Sequence, residues 1–444
     1  MDYQLLFAKA KAASIEALEV FESVSKSVNT KIYNHEVENF TSSNVKGISF
    51  RGIYQNKLGI TYLEEDNDDL IDDVIRLIIE SSQAIDSKDE VLFNEKVQAY
   101  QELPLYNPAL DELKINEVNQ ELIKLEETIL SKDERISQLG GIEFDVSSSI
   151  VHIINSYGVD LKRAVNFATV VAEIIVKDQD DVKTNFEYQL VDDYADFDFA
   201  KLADDLVSNA VKKLHASKIK SGTYDVIVQN KAMISLLGAL SSSFSGESVN
   251  KGLSILKDKL NQRVFNEQVT IIDNPLMEKG VNSTPFDDEG TVTFAKNVVE
   301  NGEVKTFLHS LKSAKKAQVK PTGNGFKPGY RADVNVSPTN FYLKPGEVSY
   351  DELVKKLNNG VIITSFAGMH AGMNTLTMNF SLEVEGFEVK DGKIVRPLSL
   401  MLLAGNLLKL LDTNLVTIAN DLYFSYSGLG ACSVLFKDCK ISGE

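Results

Sequence analysis

Short runs that alternate apolar and polar side chains, joined by two-residue turns, restrict this chain to an architecture built on antiparallel sheet. Leu376, Met378, Phe380, Leu382 and Val384 alternate with Thr377, Asn379, Ser381 and Glu383. That period of two puts the apolar side chains on one face of a half-buried strand. Asn301-Gly302 and Asp391-Gly392 each lie between strand-like runs, and such pairs accept the positive φ that a tight hairpin demands. Ile48 and Phe50 before Gln55-Asn56-Lys57, with Leu58, Ile60 and Tyr62 after it, predict another hairpin. Strands and helices do not alternate regularly, so the expected fold class is α+β rather than a parallel, doubly wound sheet.

Helical periodicity is confined to a few segments. An opening helix is expected over residues 2–13. Asp66 to Asp69 supply an acidic first turn for a helix with Leu70, Val74, Leu77 and Ile78 on its apolar face. Ile115, Val118, Leu122 and Leu125 mark a helix over 114–132, and others are expected over 199–215 and 400–411. Strands are expected over 18–28, 31–40 and 224–228. Another set runs from Gly140-Gly141 through the turn Asn155-Ser156-Tyr157-Gly158 to about residue 191. Residues 96–113, with Pro104, Asn107 and Pro108, read as a connector. The organisation expected is an N-terminal α/β layer, 1–200, packed on a C-terminal, largely antiparallel β unit with helices, 220–444.

A chain of 444 residues with 43% hydrophobic content has core material for such a two-part fold. Its formal net charge of −18 argues against a nucleic-acid backbone or an anionic membrane as partner. With only Cys432 and Cys439, a disulfide framework is excluded and a reducing cytoplasm is the natural location. Asp2 stands where a signal peptide would be basic. The longest apolar block, 398–411, is interrupted by Ser399, Gly405, Asn406 and Lys409, short of the about 20 apolar residues that span a bilayer.

The usual catalytic patterns are absent. His35-Glu36 has Asn39 and Phe40 where a zinc-protease helix needs a second histidine. Gly323-Asn324-Gly325 continues into Phe326-Lys327-Pro328, which cannot open a dinucleotide-binding helix. Gly428-Leu429-Gly430 lies too close to residue 444 for a βαβ unit, and Gly246-Glu247-Ser248-Val249-Asn250 lacks the last glycine of a nucleophile elbow. The acidic runs 64–73 and 178–181 lack the glycine and terminal glutamate of a calcium loop. His35, His152, His215, His309 and His370 form no local pair, so no metal site is expected, and His309 reads as strand filler. One loop stands out. Gly368 and Gly372 bracket His370 in a stretch too glycine-rich for a stable helix. His370 is then either a turn residue hydrogen-bonded to the backbone or a ligand contact, with Asn374 as a second contact.

Longer stretches carry a resemblance. They include Lys31-Ile32-Tyr33-Asn34-His35-Glu36-Val37-Glu38-Asn39, Lys46-Gly47-Ile48 and Asn155-Ser156-Tyr157-Gly158. Further along come Ser283-Thr284-Pro285-Phe286-Asp287-Asp288-Glu289-Gly290 and Pro321-Thr322-Gly323-Asn324-Gly325. Ile394-Val395-Arg396-Pro397, Ala404-Gly405-Asn406-Leu407-Leu408 and Ile441-Ser442-Gly443-Glu444 complete the set. Over nearly its whole length the chain resembles the PmbA/TldD family, also called modulators of DNA gyrase or peptide-maturation metalloproteases. The resemblance implies one of two branches. TldD-type proteins resemble zinc peptidases with a His-Glu-x-x-x-His helix and a C-terminal cysteine. PmbA-type proteins, also called TldE, lack that helix and pair with TldD around a peptide-cleaving chamber.

Here the corresponding helix carries Leu237 and Ser242 at the two histidine positions, and Met233, Leu236, Leu240 and Phe244 form an apolar stripe along it. The glycine-flanked His370 loop is similar to the PmbA type, although Met378-Asn379-Phe380 replaces its usual Gly-Asp-Phe. The resemblance thus implies a TldE-like subunit of a cytoplasmic metalloprotease that processes unfolded peptides. It would have no catalytic residue and no cofactor of its own, with zinc only in a TldD-type partner. Assembly would be a heterodimer with that partner or a homodimer alone. Substrate contacts would come from Gly368, His370, Gly372, Asn374, Asn324 and Gly325. Two alternatives remain at this point: a stand-alone homodimeric peptide-binding scaffold, and a peptidase with a non-standard metal site.

Overall fold

The computed structural model describes residues 1–84, 92–95 and 99–444. Residues 96–98 of the expected connector lie outside the described residues. β1 (Ala17–Tyr33) and β2 (Glu36–Tyr54) are joined by Asn34 and His35, at φ 52° and 63°. The strand expected over 31–40 is therefore broken in its middle by a two-residue turn. Gln55 and Asn56, at φ 49° and 59°, lead to β3 (Lys57–Leu63), as the hairpin pattern predicts. β4 (Ile136–Asn155), β5 (Asp160–Asp178) and β6 (Asp181–Val191) complete an antiparallel sheet of order β3-β2-β1-β4-β5-β6. β4 begins ahead of Gly140-Gly141 and absorbs them as register irregularities.

Both helix pairs of this half pack on one face of the sheet. α1 (Tyr3–Ala12) and α2 (Ile71–Ala84) bury Leu6, Val74 and Ile78 against Leu18, Val20, Ile48 and Phe50. α3 (Ile115–Ser131) and α4 (Phe199–Val211) bury Leu122 and Leu206 against Ile32, Phe144, Val170 and Ile174. In β1, residues 18, 20 and 32 are all even-numbered, and its pairing with β4 runs unbroken from Glu19 to Ile32. Even-numbered side chains of β1 thus share that face. The opposite face of β5, through Val165, Phe167, Thr169 and Val171, belongs to neither helical core and is half-buried.

The C-terminal half is largely antiparallel and built around a ring of strands. β7 (Gly222–Val228) pairs in parallel with Gly360–Ala367, and Asn379–Lys390, Lys393–Asn406 and Val434–Ser442 follow in antiparallel pairings. Pairing of Leu402, Leu403 and Ala404 with Ser442, Ile441 and Lys440 closes the ring. Phe380, Leu382, Val384, Met401 and Leu403 share one core with Met233, Leu236 and Leu240 of α5 (Asn230–Ser241). That core also holds Ile271, Phe341 and Ala431 from a second, smaller six-stranded sheet. The turns at Asn301-Gly302 and Asp391-Gly392 both have positive φ at each position. The α+β class holds.

Two local expectations are corrected. Residues 400–406 continue a strand, and only Leu407–Leu411 is helical. Met401 and Leu403 are buried while Leu400 and Leu402 are exposed, so the leucine-rich run follows a period of two, not 3.6. The strand after His370 starts at Asn379, with Leu376 and Thr377 in a turn before it.

Close backbone contact makes one glycine in the ring indispensable. A Cβ on Gly386 would lie 1.8 Å from the Ile362 carbonyl oxygen, whereas Gly329 has open space. Gly386→Ala is expected to lower stability by about 1–3 kcal/mol through overpacking. Gly329→Ala should stay within about 0.5 kcal/mol of wild type, as surface changes do. Urea unfolding midpoints of the two variants check the pair.

Candidate functional site

The His370 loop closes the end of the Gly360–Ala367 and Asn379–Lys390 strands. Gly368, at φ 72°, ends the first strand and accepts hydrogen bonds from the Ala371 and Gly372 amides through its carbonyl. Met369–Gly372 is therefore one helical turn, contrary to the expectation that two glycines forbid it. The turn survives because the glycines occupy its ends, where they cap rather than interrupt. A Cβ on Gly372 would lie 2.4 Å from the Ser381 carbonyl oxygen, so only glycine lets the turn sit against that strand. Asn374 Oδ1 accepts from the Leu376 and Thr377 amides at 3.0 Å each, which makes Asn374 a turn former first. Asn406 Nδ2 donates to the Thr377 carbonyl at 2.8 Å and to Asn379 Oδ1 at 2.9 Å, tying down the loop's exit. His370 itself is exposed, and its imidazole has no hydrogen-bond partner among the described residues. The backbone-bonded turn histidine is thus not what the structure contains.

Asn324 and Gly325 belong elsewhere. Asn324 is fully buried: its Nδ2 donates to Asp273 Oδ2 at 2.9 Å and to the Ser337 carbonyl at 3.0 Å. Its Oδ1 accepts from Thr322 Oγ1 at 2.7 Å and from Lys296 Nζ at 3.2 Å. Lys296 Nζ also reaches Asp273 Oδ2 at 3.0 Å, a buried ion pair completed by Asn324. The Gly325 amide donates to Asp287 Oδ2 at 2.8 Å, and a Cβ there would lie 2.3 Å from Glu289 Oε2. These two positions form an internal network and do not join the His370 loop. His309, expected in a strand, precedes the short Leu311–Ala317 helix, buried with its Nδ1 3.2 Å from Ser313 Oγ.

A second group of charges escaped the sequence reading. It fills the junction between the helix-free face of the N-terminal sheet and residues 286–327. Arg51 Nε and Nη2 donate to Glu19 Oε1 at 3.0 and 2.5 Å across the β1–β2 pair. Arg163 Nη2 donates to Asp288 Oδ1 at 2.5 Å and its Nη1 to the Phe286 carbonyl at 3.0 Å. The Lys327 amide donates to Asp288 Oδ2 at 2.8 Å. Its Nζ lies 3.4 Å from Ser49 Oγ and 4.4 Å from the centre of the Phe21 ring. Glu289 Oε2 accepts from the Leu311 amide at 2.7 Å, and Glu19 Oε2 is buried without a partner among the described residues. Burial pushes the Glu289 carboxyl up to about 7, with the Leu311 amide and Arg51 pulling it down. Burial likewise holds Asp287 well above the usual carboxylate range, and pushes the Lys327 ammonium down to about 8. The only sequence signal was the run Asp287-Asp288-Glu289, three consecutive carboxylates between Pro285-Phe286 and Gly290.

The candidate metal positions do not suit zinc. Leu237 is a hydrocarbon within the buried face of α5 and Ser242 is an exposed hydroxyl, so neither offers a strong donor. Cys432 is fully buried, with its Sγ 3.9 Å from the Leu343 carbonyl, and burial pushes its thiol up to about 12. A ligating cysteine must be a thiolate. No group of three or more His, Cys, Asp or Glu side chains among the described residues is placed to hold a metal ion. No helix there is long and apolar enough to cross a membrane.

Two linked sheet systems, a glycine-bounded histidine loop and the buried helix α5 make up a metallopeptidase-like fold. Three family models match in succession: PmbA/TldA metallopeptidase domain 1 over residues 18–84, the central domain over 108–214 and the C-terminal domain over 221–443. The chain belongs to the PmbA/TldD family. Metalloprotease PmbA of Escherichia coli O157:H7 is 26% identical over 344 residues, covering 77% of this chain and 73% of that protein. A candidate modulator of a DNA gyrase from Thermotoga maritima superposes with a TM-score of 0.91 at 30% identity, covering 99% of each chain. TldE from Thermococcus kodakarensis shares the fold, with a TM-score of 0.90 at 21% identity over 99% of this chain and 100% of that one.

Glu289 sets a pH dependence whose sign is fixed. Its folded pKa of about 7 exceeds the ordinary 4.5, so its contribution to stability is complete below 4.5 and lost as pH rises through 7. Glutamine mimics the neutral carboxyl at every pH. Glu289→Gln should therefore match wild type in thermal midpoint near pH 4.5 and exceed it at pH 8. Melting curves across that interval test this, and a variant less stable than wild type at pH 8 would contradict it.

Proposed function

We propose that this chain is a TldE-type subunit of a cytoplasmic, two-subunit metallopeptidase, contributing peptide contacts while a TldD-type partner contributes zinc. The observation that carries the reading is α5. The helix that bears paired histidines in the catalytic branch is here a packing element, with Leu236, Leu237 and Leu240 all buried in the core. A chain that keeps the fold and the histidine loop but not the ligands suits a binding and assembly role. Unfolded peptide is the fitting substrate class, because an extended backbone offers donors and acceptors to His370, whose neutral imidazole can serve one of each. The nucleic-acid-averse charge of −18 agrees with a peptide ligand. The two halves, 1–200 and 220–444, would act as one body joined by the ionic junction.

His370→Ala is expected to fold normally, because the exposed ring supports no intramolecular hydrogen bond among the described residues. Affinity for extended peptide, or cleavage with a TldD-type subunit, should fall about 2- to 10-fold, the equivalent of one hydrogen bond of ~0.5–1.5 kcal/mol. Fluorescence-anisotropy titration of a labelled unfolded peptide checks it. Unchanged peptide affinity in a folded variant removes His370 from the site.

A further inference from the structure

Three residues of the internal network are arranged as reactants. Asp273 ends the Ile271–Asp273 strand, Lys296 opens the Lys296–Glu300 strand, and the antiparallel register sets them directly opposite each other. Cross-strand partners have Cβ atoms about 5 Å apart, so both side chains reach the same point. Asn324, just before the Gly325–Phe326 strand, meets them there. All three are buried, Asp273 and Asn324 completely.

The orientation of the Asn324 amide is fixed at both ends. Its nitrogen donates to Asp273 Oδ2 and to the Ser337 carbonyl, so it faces the carboxylate. Its Oδ1 faces Lys296 Nζ at 3.2 Å and accepts from the Thr322 hydroxyl at 2.7 Å. Asp273 Oδ2 thus touches both the amine, at 3.0 Å, and the amide nitrogen, at 2.9 Å. The other carboxylate oxygen accepts from the Thr339 amide and hydroxyl at 2.7 Å each, which pins the plane of the group. A plain ion pair does not require an amide turned this way. The set holds a nucleophile, a carbonyl with a hydroxyl on its oxygen, and a carboxyl group touching both the attacking and the leaving nitrogen. Those are the parts of an acyl transfer.

We infer that Lys296 and Asn324 join in an intramolecular isopeptide bond, formed by the folded chain with loss of ammonia. One proton passes from Nζ to Asp273 Oδ2, and the freed lone pair attacks Asn324 Cγ. Oδ1 takes the negative charge beside the Thr322 hydroxyl. Asp273 gives its proton to Nδ2 and takes a second from the newly bonded Nζ. The Cγ–Nδ2 bond then breaks, the carbonyl re-forms, and ammonia leaves with that second proton as ammonium. No oxidant, reductant or external reactant is consumed. Burial keeps water from the carbonyl, and groups held in contact need no bimolecular encounter. The bond ties the Lys296–Glu300 strand to the segment whose Gly325 amide binds Asp287 and whose Lys327 amide binds Asp288 in the ionic junction. It is independent of the peptide-binding reading.

The intact mass of the purified full chain, read in denaturant, tests this. The expected value lies below the sequence mass by one ammonia, about 17 Da. A tryptic digest should contain a branched peptide holding both Lys296 and Asn324, uncut after Lys296. Lys296→Met should return to the mass its own sequence gives. Asp273→Asn keeps both joined groups but loses the proton carrier, and should lower the linked fraction about tenfold or more. Should either variant fail to fold, the wild-type mass and the branched peptide still decide. A wild-type mass equal to that of the sequence overturns the inference and leaves an ordinary ion pair. So does an ammonia loss that persists in Lys296→Met without a branched peptide, which marks a succinimide at Asn324-Gly325.

Discussion

The arrangement of the molecule depends on a set of charges buried where its two sheet systems meet. Glu19 and Arg51 from adjacent strands, Arg163 from β5, and Asp288, Glu289 and Lys327 from the C-terminal half all lie in that junction. Removing charges from water costs several kcal/mol per ion, so such a set persists only when nearly every lone pair and proton is matched. Each guanidinium here has a carboxylate, and Asp288 receives from both Arg163 and the Lys327 backbone. Glu289 and Asp287 relieve the rest by holding their protons more tightly than free carboxyls do. Two halves joined this way have one relative placement, since sliding either would strand unpaired charge.

That fixed placement is what gives the His370 loop a defined setting. The loop extends from two strands of a closed ring, and its ends are held by Gly368, Gly372 and the Asn406 amide rather than by the histidine. Its one exposed titratable side chain is therefore free to meet something else. Asn324 and Gly325, which share glycine-and-asparagine chemistry with the loop, are consumed in the internal network around Asp273 and Lys296. The network around Asp273 and Lys296 is architectural, whereas the His370 side chain lies exposed at the rim of the ring.

Much of the fold was legible because it is written locally. Asn301-Gly302 and Asp391-Gly392 specify their turns through backbone preference alone, and the alternation from Phe380 to Val384 fixes which side chains enter the ring. The run from Leu400 to Leu411 misled because consecutive leucines satisfy a helical and a strand period equally, and ring closure with Val434–Ser442 decided between them. The Asn34-His35 turn was hidden because neither residue is glycine, though both adopt positive φ. Of the ionic junction, only the acidic run Asp287-Asp288-Glu289 left a trace in the sequence. Its members come from positions 19, 51, 163, 288, 289 and 327, and only the folded sheet brings them together. Among the candidate contacts, His370 stood out through its flanking glycines, but the burial of Asn324 depends on strand packing that no local pattern announces.

The central claim is that this chain binds and assembles without holding the catalytic metal. Metal analysis of the purified chain, joined to cleavage of an unfolded peptide with and without a TldD-type subunit, tests that most directly. The account predicts no stoichiometric zinc in the chain, no cleavage by it alone, and faster cleavage when it is added to the TldD-type subunit. One equivalent of zinc together with cleavage by the chain alone would contradict it.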